Sequence, residues 1–334
     1  MDRTRRITST IGDSSRRLGY LNLQRDGYLR NSLANSTWST YNVGMRKYIR
    51  FCSQLHFPVW PLRENILELF VTSLAPSLSY KTIKVYLCGV QAYARIEGLG
   101  NAIAEMPRLP CVLRGIRRAQ GDSFNRPPRC PITLQNLRTL LDYLSTQATP
   151  ANCAMLACAC TMAFFGMLRV SEYTCPSSTR FDANTNLLVN DVSINVHRSL
   201  AYIKIKASKT DPFRQGAIVK LGVTGTAICP VQALLSYLRV RRDVAGPLFV
   251  FSNGHFLTRR HISTAIQGAL GRDASVDTHS LRIGGASALA AANTPAYVIQ
   301  ILGRWKSDAF LQYLRFPDDR ALVSTQIMAV DGTK

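Results

Sequence analysis

A set of side chains in the second half of the sequence could break and rejoin a phosphodiester bond. Such a transfer needs a nucleophile, cations that stabilise the charged pentavalent transition state, and an acid that protonates the leaving oxygen. One group of residues has the types that these roles require, and its members are, in chain order, Arg169, Lys209, His279, Arg282, Trp305 and Tyr313. The pattern therefore indicates phosphoryl transfer, provided that the fold brings these residues together.

Each of these residues has an ordinary structural explanation when it is taken alone. Arg169 follows a strongly apolar stretch, where an arginine is unfavourable unless it has a partner, and Glu172 at i+3 could be that partner. Lys209 lies in KASKTDPFRQG between two predicted strands, where a lysine is normally solvated. The tryptophan and tyrosine of LGRWKSDAFLQYLR could equally belong to a core.

The segment THSLRIGGAS contains an H-x-x-R pattern made by His279 and Arg282. Thr278 can cap a helix here, so both side chains would leave its first turns on one face. The start of a helix also offers backbone amides to a phosphate group. Gly284 and Gly285 are unfavourable inside a helix, and they predict close approach by another backbone.

Taken together, the order and spacing of these residues resemble the tyrosine recombinase (phage-integrase-like) family. The family's motifs match the six positions named above over roughly residues 130–315, with Glu172 in its usual place after the first arginine. The segments SKTDPFRQG, THSLRIGGAS and LGRWKSDAFLQYLR are most similar to recombinases of eukaryotic mobile elements, the DIRS-like and crypton-like groups.

The resemblance implies a mechanism. The Tyr313 oxygen attacks a scissile phosphate, forms a 3′-phosphotyrosyl bond and frees a 5′-hydroxyl. Arg169 and Arg282 hold the nonbridging oxygens, Lys209 protonates the departing 5′ oxygen, and His279 helps to move the tyrosine proton. The resemblance implies no metal, ATP or other cofactor, because the energy of the broken bond is kept in the link between protein and DNA.

The chain departs from the family pattern at one position. The family's penultimate catalytic residue, a histidine or tryptophan, precedes the tyrosine by nine positions; Arg304 has that spacing here, and Trp305 is eight positions away. The K-S-D that follows Trp305 indicates that this loop is one residue shorter here than in the family, which favours Trp305 for the position. Its ring would pack and donate its indole N–H to a phosphate oxygen. Arg304 stays open as the alternative, and otherwise we expect it to contribute mainly to DNA affinity.

Size and charge fit a DNA-binding protein of two domains. The chain has 334 residues and a net charge of +21, of which about +11 falls on residues 1–126, so both halves are basic. We assign residues 1–24 to a flexible basic tail, 25–120 to a helical core-binding domain and 121–133 to a linker rich in proline. Residues 134–316 then form the catalytic domain, and 317–334 a C-terminal tail or helix.

Basic residues recur on the predicted helices and are candidates for DNA contact. The first domain should contain four helices, over about 36–56, 63–75, 79–98 and 109–121. Candidates on these helices and on one helix of the second domain are Arg46, Lys47, Arg50, Lys81, Lys84, Arg114, Arg117, Arg118, Arg259 and Arg260. The partner would be double-stranded DNA.

The second domain is expected to be mainly α with a small antiparallel β-sheet, an α+β fold. Strands are predicted at about 190–196, 200–207 and 216–221. Helices are predicted at about 133–147, 151–172, 229–242, 258–271, 279–292, 295–303 and 307–314. The resemblance implies a two-domain DNA clamp of the tyrosine recombinase type.

The apolar and cysteine content favours an intracellular protein without a membrane segment. The dense apolar run from Cys153 to Leu168 has about 16 residues, short of the ~20 that span a bilayer, and indicates a buried helix. The nine cysteines contain no C-x-x-C pair, which favours reduced thiols. In a eukaryotic host the location would be nuclear.

The resemblance also implies assembly. A short apolar stripe in the tail, made by Leu322, Val323, Ile327 and Met328, could pack on its own domain or pass to a neighbouring protomer. The family exchanges strands as a homotetramer on paired DNA sites, which favours the second arrangement. Three alternatives remain: a type IB topoisomerase-like enzyme or telomere resolvase, a DNA-binding relative without catalysis, and a structural protein whose charge is incidental.

Overall fold

The computed structural model describes the backbone of residues 3–124, 129–197, 199–241, 244–272 and 275–313, and their side chains except at 3–15, 309, 312 and 313. The chain divides into two units, Met1–Arg126 and Pro127–Lys334. This division falls inside the predicted linker 121–133. The predicted C-terminal tail, 317–334, lies outside the described residues.

The described part of the first unit is helical. Its elements are α1 (Arg3–Asn31), α2 (Asn35–Gln54), α3 (Glu64–Leu74), α4 (Tyr80–Ile96), a 3-10 helix (Ala102–Glu105) and α5 (Leu109–Gln120). The four predicted helices are confirmed as α2 to α5. Where a flexible basic tail was expected over residues 1–24, the described backbone forms α1, which begins at Arg3.

Two glycines let α2 and α4 pack backbone against backbone. A Cβ atom on Gly44 would lie 2.7 Å from Cα of Tyr86, and one on Gly89 would lie 2.7 Å from the carbonyl oxygen of Tyr41. Any larger residue would separate the two helices at these points. Tyr48, fully buried, packs beside this crossing in the core of the unit.

Polar side chains fix both ends of α5. The Glu64 carboxylate accepts hydrogen bonds from the backbone amides of Arg108 (2.5 Å) and Leu109 (2.9 Å) at the start of the helix. At its end, the Gln120 side chain accepts one from the amide of Tyr80 (2.8 Å). These bonds satisfy helix ends that would otherwise lack partners, and they hold α5 against α3 and α4.

The second unit combines helices with a small sheet. Its helices are α6 (Leu134–Gln147), α7 (Pro150–Phe165), α8 (Val170–Tyr173), α9 (Pro230–Val240), α10 (Arg259–Leu270), α11 (Thr278–Ala291) and α12 (Ala296–Gly303), with 3-10 helices at Val189–Asp191 and Asp308–Tyr313. The strands β1 (Val192–Asn195), β2 (Leu200–Ile205) and β3 (Ala217–Gly222) form an antiparallel sheet in the order β1-β2-β3. The predicted fold class, mainly α with a small antiparallel sheet, is confirmed.

Helix α7 forms the centre of this unit. Cys158, Ala159 and Met162 have no exposed surface, which confirms the prediction of a buried helix for this apolar run. Among the described residues, no helix is both long and apolar enough to cross a membrane. Burial on all sides explains why the run carries no charged residue.

The prediction of one helix over 151–172 is wrong, because α7 ends at Phe165. The amide of Leu168 donates to the carbonyl of Ala163 (3.0 Å), and Met167 adopts a left-handed conformation with φ of 44°. A glycine usually occupies this position in a helix-ending turn of this kind. The side chain of Met167 is 2% exposed, so its burial offsets the strained backbone.

The two glycines of THSLRIGGAS bring α11 close to other backbone segments, as predicted: Gly285 lies against the end of α7, and Gly284 lies against the segment before α6. A Cβ atom on Gly285 would lie 2.2 Å from the carbonyl oxygen of Phe164, and one on Gly284 would lie 2.0 Å from that of Ile132. Neither distance is possible for a real Cβ. The close packing sets the H-x-x-R turn of α11 beside the turn that leads to Arg169.

Candidate active site

Arg169 and Glu172 form the first element of the site. Nη1 of Arg169 donates to Oε1 of Glu172 (2.9 Å), and the Arg169 amide donates to Oε2 (3.0 Å). The Arg169 side chain is 14% exposed and that of Glu172 is fully buried. The partnership expected at i+3 is therefore present, and it directs the arginine inward.

Arg304 binds the same carboxylate from a point 132 residues further along the chain. Its Nη2 donates to Oε2 of Glu172 (2.9 Å) and to the Met167 carbonyl (3.1 Å), while Nη1 donates to the Gly166 carbonyl (3.1 Å). The residue ends α12 in a left-handed conformation with φ of 58°. The guanidinium of Arg304 is directed at internal groups, which indicates a structural role. The expected contribution of Arg304 to DNA affinity stays a prediction.

Arg282 is the third guanidinium of this cluster and is completely buried. It donates to the carbonyl of Met167 through Nη1 and to that of Gly303 through Nη2. The Met167 carbonyl thus accepts from both Arg282 and Arg304. This shared acceptor places the guanidinium groups of Arg282 and Arg304 side by side and connects them through Glu172 to Arg169.

The charges in this cluster do not cancel. Burial raises the pKa of the Glu172 carboxyl, but Arg304 and Arg169 outweigh it, and the pKa lies below its ordinary value. The carboxylate is therefore ionised and offsets one positive charge. Arg169, Arg282 and Arg304 together carry three, so an incoming anion would find an excess of buried positive charge.

The indole ring of Trp305 packs against the guanidinium of Arg282. The Arg282 guanidinium carbon lies 4.3 Å from the centre of the indole ring, a cation–π contact. The ring also stacks on Phe310, with 5.6 Å between centroids and 29° between planes. A Cβ atom on Gly303 would lie 1.6 Å from this indole, so only glycine fits before Arg304. Trp305 therefore lies within the cluster, at the position that the sequence favoured.

His279 lies in the first turn of α11, near three arginines. Burial, with Arg282, Arg129 and Arg169 adding to it, lowers the pKa of the imidazole to about 4. At neutral pH the ring is uncharged and can accept a proton. Its location agrees with the predicted proton-transfer role, which stays a prediction.

The residue that caps α11 is Asp277, not Thr278 as expected. Oδ1 of Asp277 accepts from the Thr278 amide (2.6 Å), and Oδ2 binds Arg259 (2.8 Å) and Arg129 (3.6 Å). Thr278 is the first helical residue, and its hydroxyl is buried. A carboxylate thus lies at the helix start and accepts from the Thr278 amide. Phosphate binding at this helix start stays a prediction.

Lys209 lies in the turn between β2 and β3 and is exposed. Its neighbour Ser208 accepts a hydrogen bond from Nη1 of Arg169 (2.9 Å), so the lysine loop is connected directly to the arginine cluster. Ser208 was not singled out in the sequence. Its position next to the lysine was the available signal, but a contact over 39 residues has no local pattern.

An open cavity of about 1100 Å³ adjoins Lys209. Arg180, Arg259 and Arg260 line it together with the lysine, and Val170 and Ser171 bring it up to the residues that follow Arg169. Arg259 and Arg260, predicted to bind DNA, are both exposed. The cavity therefore presents cations to solvent beside the buried cluster.

The remaining predicted residues divide into two groups. The backbone of Tyr313 ends the 3-10 helix Asp308–Tyr313, and its side chain lies outside the described residues. The predicted DNA-binding residues of the first unit are all exposed, and they are Arg46, Lys47, Arg50, Lys81, Lys84, Arg114, Arg117 and Arg118. Lys84 and Arg117 both lie over the ring of Tyr80, at 5.8 and 5.7 Å.

Arg129 is a further residue that the sequence analysis did not identify. It contributes to the lowered pKa of His279 and lies 3.6 Å from Asp277. It follows the prolines of the predicted linker, where a basic residue has no periodic pattern to distinguish it. The structure places its charge near the H-x-x-R turn.

The fold of the chain is that of the tyrosine recombinases. XerH site-specific recombinase in a post-cleavage complex with palindromic difH substrate is 18% identical, with a TM-score of 0.62 over 87% of this chain and 79% of that one. Tn1549 transposon integrase with a circular intermediate DNA is 15% identical, with a TM-score of 0.57 over 91% and 97%.

A third structure of this fold is a lambda integrase dimer bound to a COC′ core site. It is 14% identical, with a TM-score of 0.56 over 87% of this chain and 75% of that one. No protein-family model and no curated protein matches the sequence. The likeness is therefore one of fold, and the function is inferred from the site.

Proposed function

We propose that this protein is a site-specific DNA recombinase or integrase that cuts and rejoins DNA through a 3′-phosphotyrosyl intermediate. The observation that carries the proposal is the buried cluster in which Arg169 and Arg304 bind the single carboxylate of Glu172, while Arg282 shares the Met167 carbonyl with Arg304. A phosphate that becomes more negative in its transition state is the anion such a cluster would stabilise. The tyrosine recombinase fold supports the same chemistry.

The proposed reaction exchanges one phosphodiester for another. The Tyr313 oxygen attacks phosphorus, the bond from phosphorus to the 5′ oxygen breaks, and a 3′-phosphotyrosyl bond forms. The neutral imidazole of His279 takes up the tyrosine proton, and the ammonium of Lys209 protonates the leaving oxygen. Arg169 and Arg282 stabilise the nonbridging oxygens.

Within this reaction, the roles of Arg304 and Trp305 differ. Trp305 packs on Arg282 and fills the penultimate position of the catalytic set. Arg304 holds Glu172 and three carbonyl groups, so it keeps the other two arginines in place. The reaction releases and re-forms bonds of equal energy, which is why strand exchange needs no external energy source.

The wider setting is proposed from the same resemblance. Double-stranded DNA is the substrate, both units contact it, and four copies assemble on paired sites. A mobile element of the DIRS-like or crypton-like kind is the proposed origin, with a nuclear location in a eukaryotic host. The likeness in fold to the Tn1549 integrase, a transposon protein complexed with a circular intermediate DNA, is compatible with a mobile-element origin in general.

The decisive experiment is a covalent trapping assay. The protein is incubated with a nicked duplex that contains the DNA flanking its own gene, so that the cleaved strand diffuses away. We expect a covalent adduct whose DNA-linked peptide contains Tyr313, and no adduct from Tyr313→Phe, which should still bind DNA. An adduct on Tyr297 or Tyr237 would contradict the assignment.

The same preparation distinguishes the alternatives. Relaxation of any supercoiled plasmid without site preference would indicate a type IB topoisomerase-like enzyme. Binding with no adduct from the unmodified protein would indicate a DNA-binding relative without catalysis. Arg169→Lys and Arg282→Lys should each reduce the rate of adduct formation about 100-fold or more, because lysine lacks the planar set of donors.

A further inference from the structure

The turn between β2 and β3 presents a phenyl ring to solvent. Phe213 is 86% exposed, the highest value among the large apolar side chains in the described part of the chain. It occupies the tip of SKTDPFRQG, the same loop that contains Lys209. A single exposed apolar side chain is ordinary on a protein surface, and what distinguishes Phe213 is the braced, cationic loop that displays it.

The loop that holds this ring is internally braced. The Asp211 carboxylate accepts hydrogen bonds from the amides of Gln215 (3.1 Å) and Gly216 (2.7 Å), and the Asp211 amide donates to the Ser208 carbonyl (3.0 Å). Arg214 takes a left-handed conformation, with φ of 54°, which closes the turn. The ring is therefore displayed by a defined turn.

Cations flank the ring within the loop. Lys209 and Arg214 are both exposed, four residues before and one residue after Phe213. The Ser208 hydroxyl connects this loop to Arg169 (2.9 Å), so a phosphate bound at the arginine cluster would lie close to the start of the loop. An apolar ring between two cations matches the surface of a duplex, where stacked bases lie between two rows of phosphates.

We propose that Phe213 is a wedge that enters the base stack of DNA next to the phosphate that is cleaved. Lys209 would remain at the phosphate that is cleaved, Arg214 would bind the phosphate on the other side of the ring, and the ring would partly unstack one base step. The consequence is local unwinding, which helps the strands to separate before they exchange. This inference rests on the proposed function, since it requires DNA in the site.

The test measures unwinding without knowledge of the target sequence. Protein with Tyr313→Phe, which cannot nick DNA, is bound to a singly nicked circular plasmid, and DNA ligase closes the nick. After the protein is removed, the linking number is read from gel mobility, while protein retained on the plasmid is quantified in parallel. A wedge lowers the linking number in proportion to the amount of protein bound.

Matched variants in the Tyr313→Phe background identify the ring. We expect Phe213→Ala to reduce the linking deficit per bound protein at least about threefold, with plasmid binding changed less than about threefold. Phe213→Trp should retain the deficit, because indole also stacks. Val196→Ala is the control, since Val196 is 74% exposed in the other turn of the same sheet and should leave the deficit unchanged.

The assay distinguishes failure of the proposed function from failure of the wedge. A protein that is not retained on the plasmid overturns the proposed function and the wedge with it. A protein that binds but produces no linking deficit overturns the wedge alone. An unchanged deficit with Phe213→Ala, or an equal loss with Val196→Ala, also shows that Phe213 is not the unwinding element.

Discussion

The carboxylate of Glu172 determines whether the arginines of the site can remain in place. It is fully buried between Arg169 and Arg304, each within 2.9 Å. Neutralising it by Glu172→Gln keeps the shape but leaves two buried cations without an anion. We expect the free energy of unfolding to fall by about 3 kcal/mol, the usual cost of breaking a buried ion pair. Urea denaturation followed by circular dichroism measures it.

The pH dependence provides the matched control for this variant. The pKa of Glu172 in the folded protein lies below its ordinary value of 4.5, so its contribution is present above that pH and is lost as the pH falls through the folded value. The difference in stability between the unmodified protein and Glu172→Gln should therefore shrink at low pH. A difference that is constant with pH would contradict the charge argument.

His279 should titrate far below an ordinary histidine. Burial and the neighbouring arginines lower the pKa of its imidazole to about 4. The neutral ring therefore contributes its full stability above the unfolded pKa of 6.5, and this stability is lost as the pH falls towards the folded pKa. NMR titration of the imidazole should give this midpoint in the free protein. DNA should raise it, because a phosphate beside the ring favours the charged form. A midpoint near 6.5 would show that the ring is not enclosed.

Replacing Arg304 should mainly lower stability, whereas replacing Trp305 should mainly slow catalysis. Arg304→Ala leaves Glu172 and three carbonyl groups without this partner, and should destabilise the protein by about 3 kcal/mol. Trp305→Ala removes the ring over Arg282 and should slow covalent adduct formation more than Arg304→Lys does. Thermal unfolding and single-turnover adduct formation, measured side by side, check both. Equal stability in Arg304→Ala and the unmodified protein would contradict its internal role.

At the scale of elements, the contact between α7 and α11 sets the spacing of the site. Gly285→Ala places a methyl group where the Phe164 carbonyl now lies, and should destabilise the protein by about 2 kcal/mol or more. The control is Gly115→Ala in α5, where nothing lies within 4 Å. That variant should stabilise its helix by about 0.5–1 kcal/mol. Denaturation of both proteins tests the pair, and similar effects would contradict the packing argument.

The elements show what periodicity can and cannot predict. Helical spacing and proline predicted the ends of α2 to α5 to within a few residues of their observed positions, and the glycine pair predicted the close contact of α11 with another backbone. The end of α7 was missed, because a left-handed Met167 is tolerated only where its side chain is buried, and burial depends on the rest of the fold. Helix α1 was missed because its sequence is polar, with a pattern typical of a tail.

The site was predictable only in part for the same physical reason. Residue types and order selected Arg169, His279, Arg282 and Trp305, which the structure brings together. The contact between Arg304 and Glu172 spans 132 residues and leaves no local trace in the sequence. A long-range hydrogen bond of this kind depends on how α12 ends, so its existence follows from the fold and not from a motif.

At the scale of the whole molecule, charge should govern affinity for DNA. The net charge is +21, and the predicted DNA-binding residues of the first unit are all exposed. Each phosphate that a lysine or arginine neutralises releases counterions, so the logarithm of the binding constant should fall linearly with the logarithm of salt concentration. A complex insensitive to salt would contradict the proposal that DNA lies along these helices.

The slope of the logarithm of the binding constant against the logarithm of salt concentration shows which faces of the molecule contact DNA phosphates. Neutralising Lys81 and Lys84 on α4 with glutamine removes two contacts and should reduce the slope by about 2, at roughly 0.9 per phosphate. Lys204→Gln with Lys220→Gln is the matched control, because it removes the same charge from the exposed face of the sheet. Fluorescence anisotropy with a labelled duplex, titrated at several salt concentrations, gives both slopes. If the control pair lowers the slope as much as the α4 pair, net charge and not the predicted face accounts for binding.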